Sequence, residues 1–368
     1  MNIWGIYTDW AQREGHPGGC GYYRIVQPCL YLARTKKVKV DITGEVVRKR
    51  YRWFGRNETA HETWTRVFTK ADILFLQHLD NPIGIAQVFA ARDHFHKRVV
   101  IDLDDDYFNV DPSSEEVRKY YHPGSDRERF TTETLRWANA LTVTTLALKQ
   151  LYGKYNPNIY VIPNYMDIEL WDREILPRDD KWVTIGWAGS YTHRGDFKTM
   201  SQVLLEILNE YPNVRFTCCG DFPAFLDYDL LKVKDRVTMV NGAKWFTKWP
   251  EALYNMRIDI GIAPLKVNMF NRAKSPIKFF EYSMSGAASV LAGDERLPYA
   301  GVGRNGYDCF LARGELEWRK ALKALIEDKE LRINIANNAR KKVIKEYNIK
   351  DHISEYREAF EEIKWSLQ

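Results

Sequence analysis

Residues 275–291 read Ser275-Pro276-Ile277-Lys278-Phe279-Phe280-Glu281-Tyr282-Ser283-Met284-Ser285-Gly286-Ala287-Ala288-Ser289-Val290-Leu291. The stretch divides into a loop, a helix opening at Ser275 or Pro276, a turn at Gly286 and an apolar strand. Ser is a favoured N-cap, and Pro suits the first helical position because it has no N–H to leave unpaired. The free amides and positive dipole end of such a helix make a ready anion site. Lys278 and Glu281 lie three residues apart, so they share a helix face near that site. An ammonium and a carboxylate beside a helix N-terminus suit a sugar nucleotide, with phosphates on the amides and ribose hydroxyls on the carboxylate. The same residues also describe an ordinary surface helix carrying one ion pair, so the flanking chain has to decide.

Upstream, the same grammar repeats. Val183–Trp187 reads as a strand, 188–195 as a loop and Asp196–Tyr211 as a helix. Strands follow at Val214–Cys219, Val237–Val240 and Ile258–Ala263, with helices at Trp249–Met256, Ile277–Ser285, Glu315–Asp328 and Lys329–Tyr347. The N-terminal half starts in the same way. Ile3–Tyr7 is a strand, His16-Pro17-Gly18-Gly19-Cys20-Gly21 a flexible loop, and Tyr22–Thr35 has helical spacing. Strands are predicted at Val38–Ile42, Ile73–Gln77, Val99–Leu103, Leu141–Val143 and Tyr160–Ile162, and helices at Ile83–His96 and Asp126–Ala138. Alternating strands and helices imply parallel sheets covered on both faces. Pro163-Asn164-Tyr165-Met166-Asp167 reads as a domain exit and the charged stretch 172–181 as a linker. The expected architecture is α/β: two Rossmann-like domains facing each other across a cleft, with ligands at the carboxyl ends of the strands.

The bulk composition agrees. A chain of 368 residues suggests two domains, and 45% hydrophobic residues are enough for two cores. A formal net charge of +5 favours an anionic ligand or surface, yet is too small to imply nucleic acid by itself. Five Cys with no CxxC spacing exclude a disulfide framework and the usual zinc sites. The N-terminus has no basic n-region and no run of 18 apolar residues occurs, so the expectation is a cytoplasmic enzyme without a transmembrane segment. Peripheral membrane contact through basic segments stays open.

Five pieces of the second half resemble the retaining GT-B glycosyltransferases of family 4, the group 1 type. They are Val161-Ile162-Pro163-Asn164 at the domain exit, Ile185-Gly186-Trp187-Ala188-Gly189, the strand Ile258–Leu265 with Asp259 and Pro264, the helix with Lys278, Glu281 and Tyr282, and Gly286–Leu291. The resemblance covers about residues 140–350; earlier residues match only in layout. It implies a GT-B fold, with an acceptor domain at 1–168 joined by a C-terminal helix at 350–368. A donor domain would span 169–349. In that reading Glu281 binds the ribose, and Ser275, Pro276, Ile277 and Lys278 hold the diphosphate. Arg194 stands where the family has a phosphate-contacting Lys, with His193 beside it. Gly18 and Gly19 approach the phosphates from the other domain, Gly189 opens the donor loop, and backbone at 240–242 holds the base. Where the family often has a second Glu, this chain has Ala273, which leaves the donor sugar open. The family's Arg after the opening Gly is Ser190, and Lys198 is the candidate to replace its charge.

Glycosyl transfer through an oxocarbenium-like state needs fixed positive groups to meet the departing diphosphate. Arg194, Lys198, Lys278 and the helix amides are the suppliers, so no metal and no cofactor beyond the nucleotide-sugar co-substrate is expected. Asp104 and Asp105, within Asp102-Leu103-Asp104-Asp105-Asp106, fall where the family has its His-Asp pair. They have three readings: a divalent-metal site, an acceptor-orienting pair, or a solvated turn. His78, at a strand end, either reaches the cleft or is structural. Arg24 opens the first helix, either to meet an anion or as a surface residue. The acceptor is a glycan, a lipid-linked saccharide or a modified nucleic-acid base. The alternatives are a sugar-nucleotide epimerase on the same fold and a non-catalytic nucleotide- or saccharide-binding protein.

Overall fold

The computed structural model describes residues 1–11, 16–44, 51–53, 56–58, 60–110, 122–179, 181–189, 193–220, 233–243 and 245–366. Among them lie two six-stranded sheets, parallel at every pairing. The first sheet contains β1 (Asn2–Tyr7), β2 (Lys39–Gly44), β3 (Ile73–Gln77), β4 (Arg98–Leu103), β5 (Ala140–Val143) and β6 (Ile159–Val161), in the order β6-β5-β4-β3-β1-β2. The second contains β7 (Val183–Gly189), β8 (Val214–Gly220), β9 (Val237–Val240), β10 (Ile260–Ala263), β11 (Ala288–Ala292) and β12 (Phe310–Ala312), in the order β9-β8-β7-β10-β11-β12. The second order is the Rossmann arrangement, and each sheet reverses direction beside its first strand, where a doubly wound fold opens a crevice. No helix among the described residues is long and apolar enough to cross a membrane.

The central strands are buried on both faces, as a covered parallel sheet requires, and the edge strands β2 and β9 are partly exposed. Along β3, Ile73 and Phe75 join one core with Ile3, Tyr7 and Val100, while Leu74 and Leu76 join another with Trp4, Ile6 and Ile101. That split follows the two-residue period of a strand. A separate core gathers Ile185, Phe216, Ile260, Ile262, Phe279, Val290 and Leu322 around the second sheet.

The deciding stretch folds as its residues dictate. The helix spans Ile277–Met284 and β11 follows at once. Gly286 takes φ +74°, and the amides of Gly286 and Ala287 donate back to the carbonyls of Ser283 and Tyr282. This is a Schellman ending, which only glycine adopts without steric cost. One detail differs from expectation. Ser275 does not cap the helix; Pro276 occupies the N-cap position, and no side chain caps the free amides. Ser275 Oγ instead accepts from Asn164 Nδ2 at 2.8 Å. The edge strand β12 and the helix Met269–Arg272, both short, are not predicted from the sequence, nor is the 11-residue helix Ala60–Lys70.

Two chain crossings join the halves side by side. Met166 N–H donates to Tyr347 O at 2.7 Å, and Ile349 N–H donates to Met166 O at 3.0 Å. After the second crossing, the helix Ile349–Trp365 returns to the first sheet and buries Tyr356, Phe360 and Ile363 among Ile3, Ile25, Leu32 and Phe75.

Candidate active site

The crevices of the two sheets face each other and enclose a cavity of about 510 Å³. From the second half it is lined by Gly189, His193, Gly220, Gly242, Lys274, Ser275, Ile277, Lys278 and Glu281, and from the first by Gly18, Gly19, Tyr23, Asp104, Asp105 and Asn164. The ends of β7 and β8 nearly touch here. Gly220 has φ +101°, and a Cβ on it would lie 1.9 Å from Gly189 O, so no other residue fits. Across the cleft, Gly18 and Gly21 stand against the Asp9 carboxylate, which a Cβ would meet at 2.4 and 2.0 Å.

Glu281 is buried, and its carboxylate accepts from three residues that line the cavity. Oε1 accepts from Trp249 Nε1 at 2.9 Å and from Tyr23 OH of the first half at 3.2 Å, and Oε2 accepts from Lys278 Nζ at 2.9 Å. The carboxylate one turn into an uncapped helix is therefore fixed in direction, with Lys278 between it and the free amides. Phe246 stacks on Tyr22 at 4.7 Å and meets Tyr23 edge-on at 4.9 Å, closing one side of the cleft. Opposite, Lys274 Nζ lies 3.1 Å from Asp105 Oδ1, an ion pair between the halves. Burial, the largest influence, lowers the Lys274 ammonium, but the Asp105 carboxylate, with Asp196 and Cys20 behind it, holds it above its ordinary value.

The acidic run separates into three jobs. Asp102 is buried and receives Arg24 twice, at 2.9 and 2.8 Å, and Thr142 Oγ1 at 2.5 Å. Asp106 caps the following turn through the amides of Phe108 and Asn109, each at 3.0 Å. Asp104 and Asp105 alone face the cavity. Burial, reinforced by Asp105, pushes the Asp104 carboxyl from 3.8 up to about 6. Tyr107 OH donates to its Oδ1 at 3.1 Å. Among the described residues, no three His, Cys, Asp or Glu side chains gather as metal ligands do.

Other candidates sit elsewhere. Arg24 is fully buried and meets no external anion: besides Asp102 it donates to Ile162 O at 2.8 Å and Asn164 Oδ1 at 3.1 Å, tying β4 to the domain exit. A π-helical turn over Tyr22–Val26, closed by Gln27 N–H on Tyr22 O, carries Arg24 in and Tyr23 toward the cavity. His78 lies behind the wall. Its ring stacks on Tyr107 at 3.6 Å, its Nε2 is 2.9 Å from Thr131 Oγ1, and burial lowers it to about 4. Lys198 is exposed and does not line the cavity, nor does Pro276, which shapes the helix start. The side chain of Arg194 and all of Ser190 fall outside the described residues. Sequence reasoning missed Tyr23, Trp249, Lys274 and Phe246. None carries a motif, and each is brought in by tertiary packing.

No protein-family model matches the chain, and no curated protein matches it in sequence. Solved structures do match in shape. HepE from Anabaena, in complex with UDP-glucose, superposes with a TM-score of 0.66 at 14% identity, covering 98% of this chain and 100% of its own. Sucrose-phosphate synthase from Thermosynechococcus elongatus gives a TM-score of 0.64 at 13% identity over 98% of each chain. A glycosyltransferase from Rickettsia africae gives 0.66 at 12% identity over 100% of this chain and 99% of its own. With two doubly wound sheets around one cleft, the chain has the two-domain GT-B fold.

Proposed function

We propose that the chain is a glycosyltransferase that moves a hexose from a nucleoside-diphosphate sugar to an acceptor hydroxyl, with retention, in the cytoplasm. The observation that carries this is that the uncapped helix start at Ser275–Lys278, with Glu281 one turn in, lines the same cavity as Asp104 and Asp105. Residues 169–349 would hold the donor: ribose hydroxyls on Glu281, diphosphate on the helix amides and Lys278, and base near Gly242. Residues 1–168 with 350–368 would present the acceptor, a glycan, a lipid-linked saccharide or a modified nucleic-acid base. HepE's UDP-glucose complex favours a uridine donor.

In the reaction the bond from the anomeric carbon to the phosphate oxygen breaks, and a bond to the acceptor oxygen forms on the same face. Charge growing on the leaving diphosphate meets fixed amides and the Lys278 ammonium, which need no reorganisation as it develops. These positive groups fill the role a metal would otherwise take. Asp104, raised to about 6, is the group suited to receive the acceptor's proton near neutral pH. The test is a thermal-shift screen with UDP-, GDP- and ADP-sugars, followed by a donor-consumption assay with and without saccharide acceptors. Stabilisation by one nucleotide class with acceptor-dependent release of the nucleoside diphosphate supports transfer. Turnover to an isomeric sugar nucleotide without acceptor would point to an epimerase, and no response to any donor would remove the reading.

A further inference from the structure

Among the described residues, His193 is the imidazole that lines the cavity. Its Nδ1 lies 2.9 Å from Asp196 Oδ2. Asp196 cannot turn away. It is buried, and its other oxygen accepts from Lys266 N–H at 2.9 Å and from Asn271 Nδ2 at 2.6 Å. One carboxylate thus pins the loop after β7, the turn after β10 and the loop leading to the Ile277–Met284 helix. A carboxylate only accepts, so the proton of the neutral ring sits on Nδ1 and the lone pair is left on Nε2. Nε2 has no hydrogen-bond partner among the described residues. Burial lowers the imidazole's proton affinity, Lys274 and Lys278 lower it further, and Asp196 only partly opposes them. The ring is therefore neutral at neutral pH, and a residue that lines the cavity carries an acceptor nitrogen with no partner among the described residues.

This restricts what His193 can bind. Diphosphate oxygens carry no proton to give at neutral pH and would repel a lone pair. A hydroxyl can donate. In a nucleoside-diphosphate sugar the hydroxyls belong to the ribose, for which Glu281 already offers an acceptor, and to the transferred sugar. The neighbouring loop offers that sugar little. Ala273 has only a methyl, packed into the core of the first half, and its carbonyl is taken by Thr145 Oγ1 at 3.0 Å. We propose that His193 Nε2 accepts a hydrogen bond from a hydroxyl of the donor's sugar ring, with Asp196 as the positioning residue that sets its tautomer. The inference rests on the nucleotide-sugar reading above. It makes His193 a determinant of which sugar is carried and not of how tightly the nucleotide is held.

Calorimetric titration of the full chain with UDP and with UDP-glucose tests it, on wild type, His193→Ala, His193→Gln and Asp196→Asn. His193→Ala should weaken UDP-glucose about fivefold to tenfold, the loss of one neutral hydrogen bond, while UDP stays within about twofold. His193→Gln, whose amide oxygen can still accept, should recover most of the loss. Asp196→Asn presents an amide donor to Nδ1, moves the ring proton to Nε2 and should imitate His193→Ala without removing the imidazole. Should that variant not fold, the Ala and Gln pair decides alone. Equal weakening of UDP and UDP-glucose would overturn the proposal by placing His193 on the diphosphate, and so would an unchanged UDP-glucose affinity in His193→Ala. Failure of wild type to bind any UDP-, GDP- or ADP-sugar would instead overturn the nucleotide-sugar reading, and this inference with it.

Discussion

Asp104→Asn should make the protein more stable and less active. Asp104 is partly buried beside Asp105, and its carboxyl rises from 3.8 to about 6 for that reason. The native state therefore holds this proton more tightly than the unfolded chain does. Between those two values the native form binds more protons, so stability falls as pH rises, the reverse of a salt-bridged carboxylate. The penalty is nearly absent below pH 4, is about half developed at pH 5 and levels off at about 3 kcal/mol above pH 7, since each tenfold in proton affinity is about 1.36 kcal/mol. Asn keeps an oxygen for Tyr107 OH and removes the charge. Melting curves of the two proteins should then differ by about 5–10 °C at pH 7.5 and by about half that at pH 5. Wild-type kcat/KM should show an acid limb near pH 6, and Asp104→Asn should lose that limb along with most of its turnover. A less stable variant at pH 7.5, or an equal gain at both pH values, would refute the burial argument. A stabilised variant with full activity would refute the catalytic one.

Two further outcomes test the remaining parts of the site and fold. Glu281→Gln keeps the shape but removes the charge that Lys278, Trp249 and Tyr23 address, so UDP affinity measured by calorimetry should fall about tenfold to a hundredfold, as for a charged hydrogen bond; an unchanged Kd in a folded variant would dismiss it as the ribose group. Removing residues 349–368 would uncover the places of Ile349, Tyr356, Phe360 and Ile363, all at most 2% exposed. At about 1.5–3 kcal/mol each, these four represent about 6–12 kcal/mol, comparable to the whole stability of a domain. The shortened chain should therefore be insoluble, and a soluble one with a normal melting curve would contradict that.

Much of the architecture was determined by local sequence. An apolar run such as Ile73–Gln77 is a strand because every residue can be buried, and its boundaries follow from the polar neighbours Asp72 and His78. Gly286 ends a helix because only glycine accepts its backbone angles. Lys278 and Glu281 meet because helical geometry puts residues three apart on one face. Spacing could not assign roles to chemically alike residues. In the run Asp102–Asp106, strand alternation and the following turn send Asp102 to Arg24, Asp106 to its own turn, and Asp104 and Asp105 to the cavity. Arg24 looks like any helix arginine until a π-helical turn carries it inward. His78 looks like a cleft histidine until Tyr107 covers it. Tyr23 and Lys274 become part of the site only when the two halves close, since their partners lie 258 and 169 residues away in the other half, and Trp249 reaches Glu281 only once the second half has folded, 32 residues along the same half. Contacts within a few residues follow from backbone periodicity, whereas contacts between the halves depend on how two separately folded sheets dock, which only the tertiary structure decides.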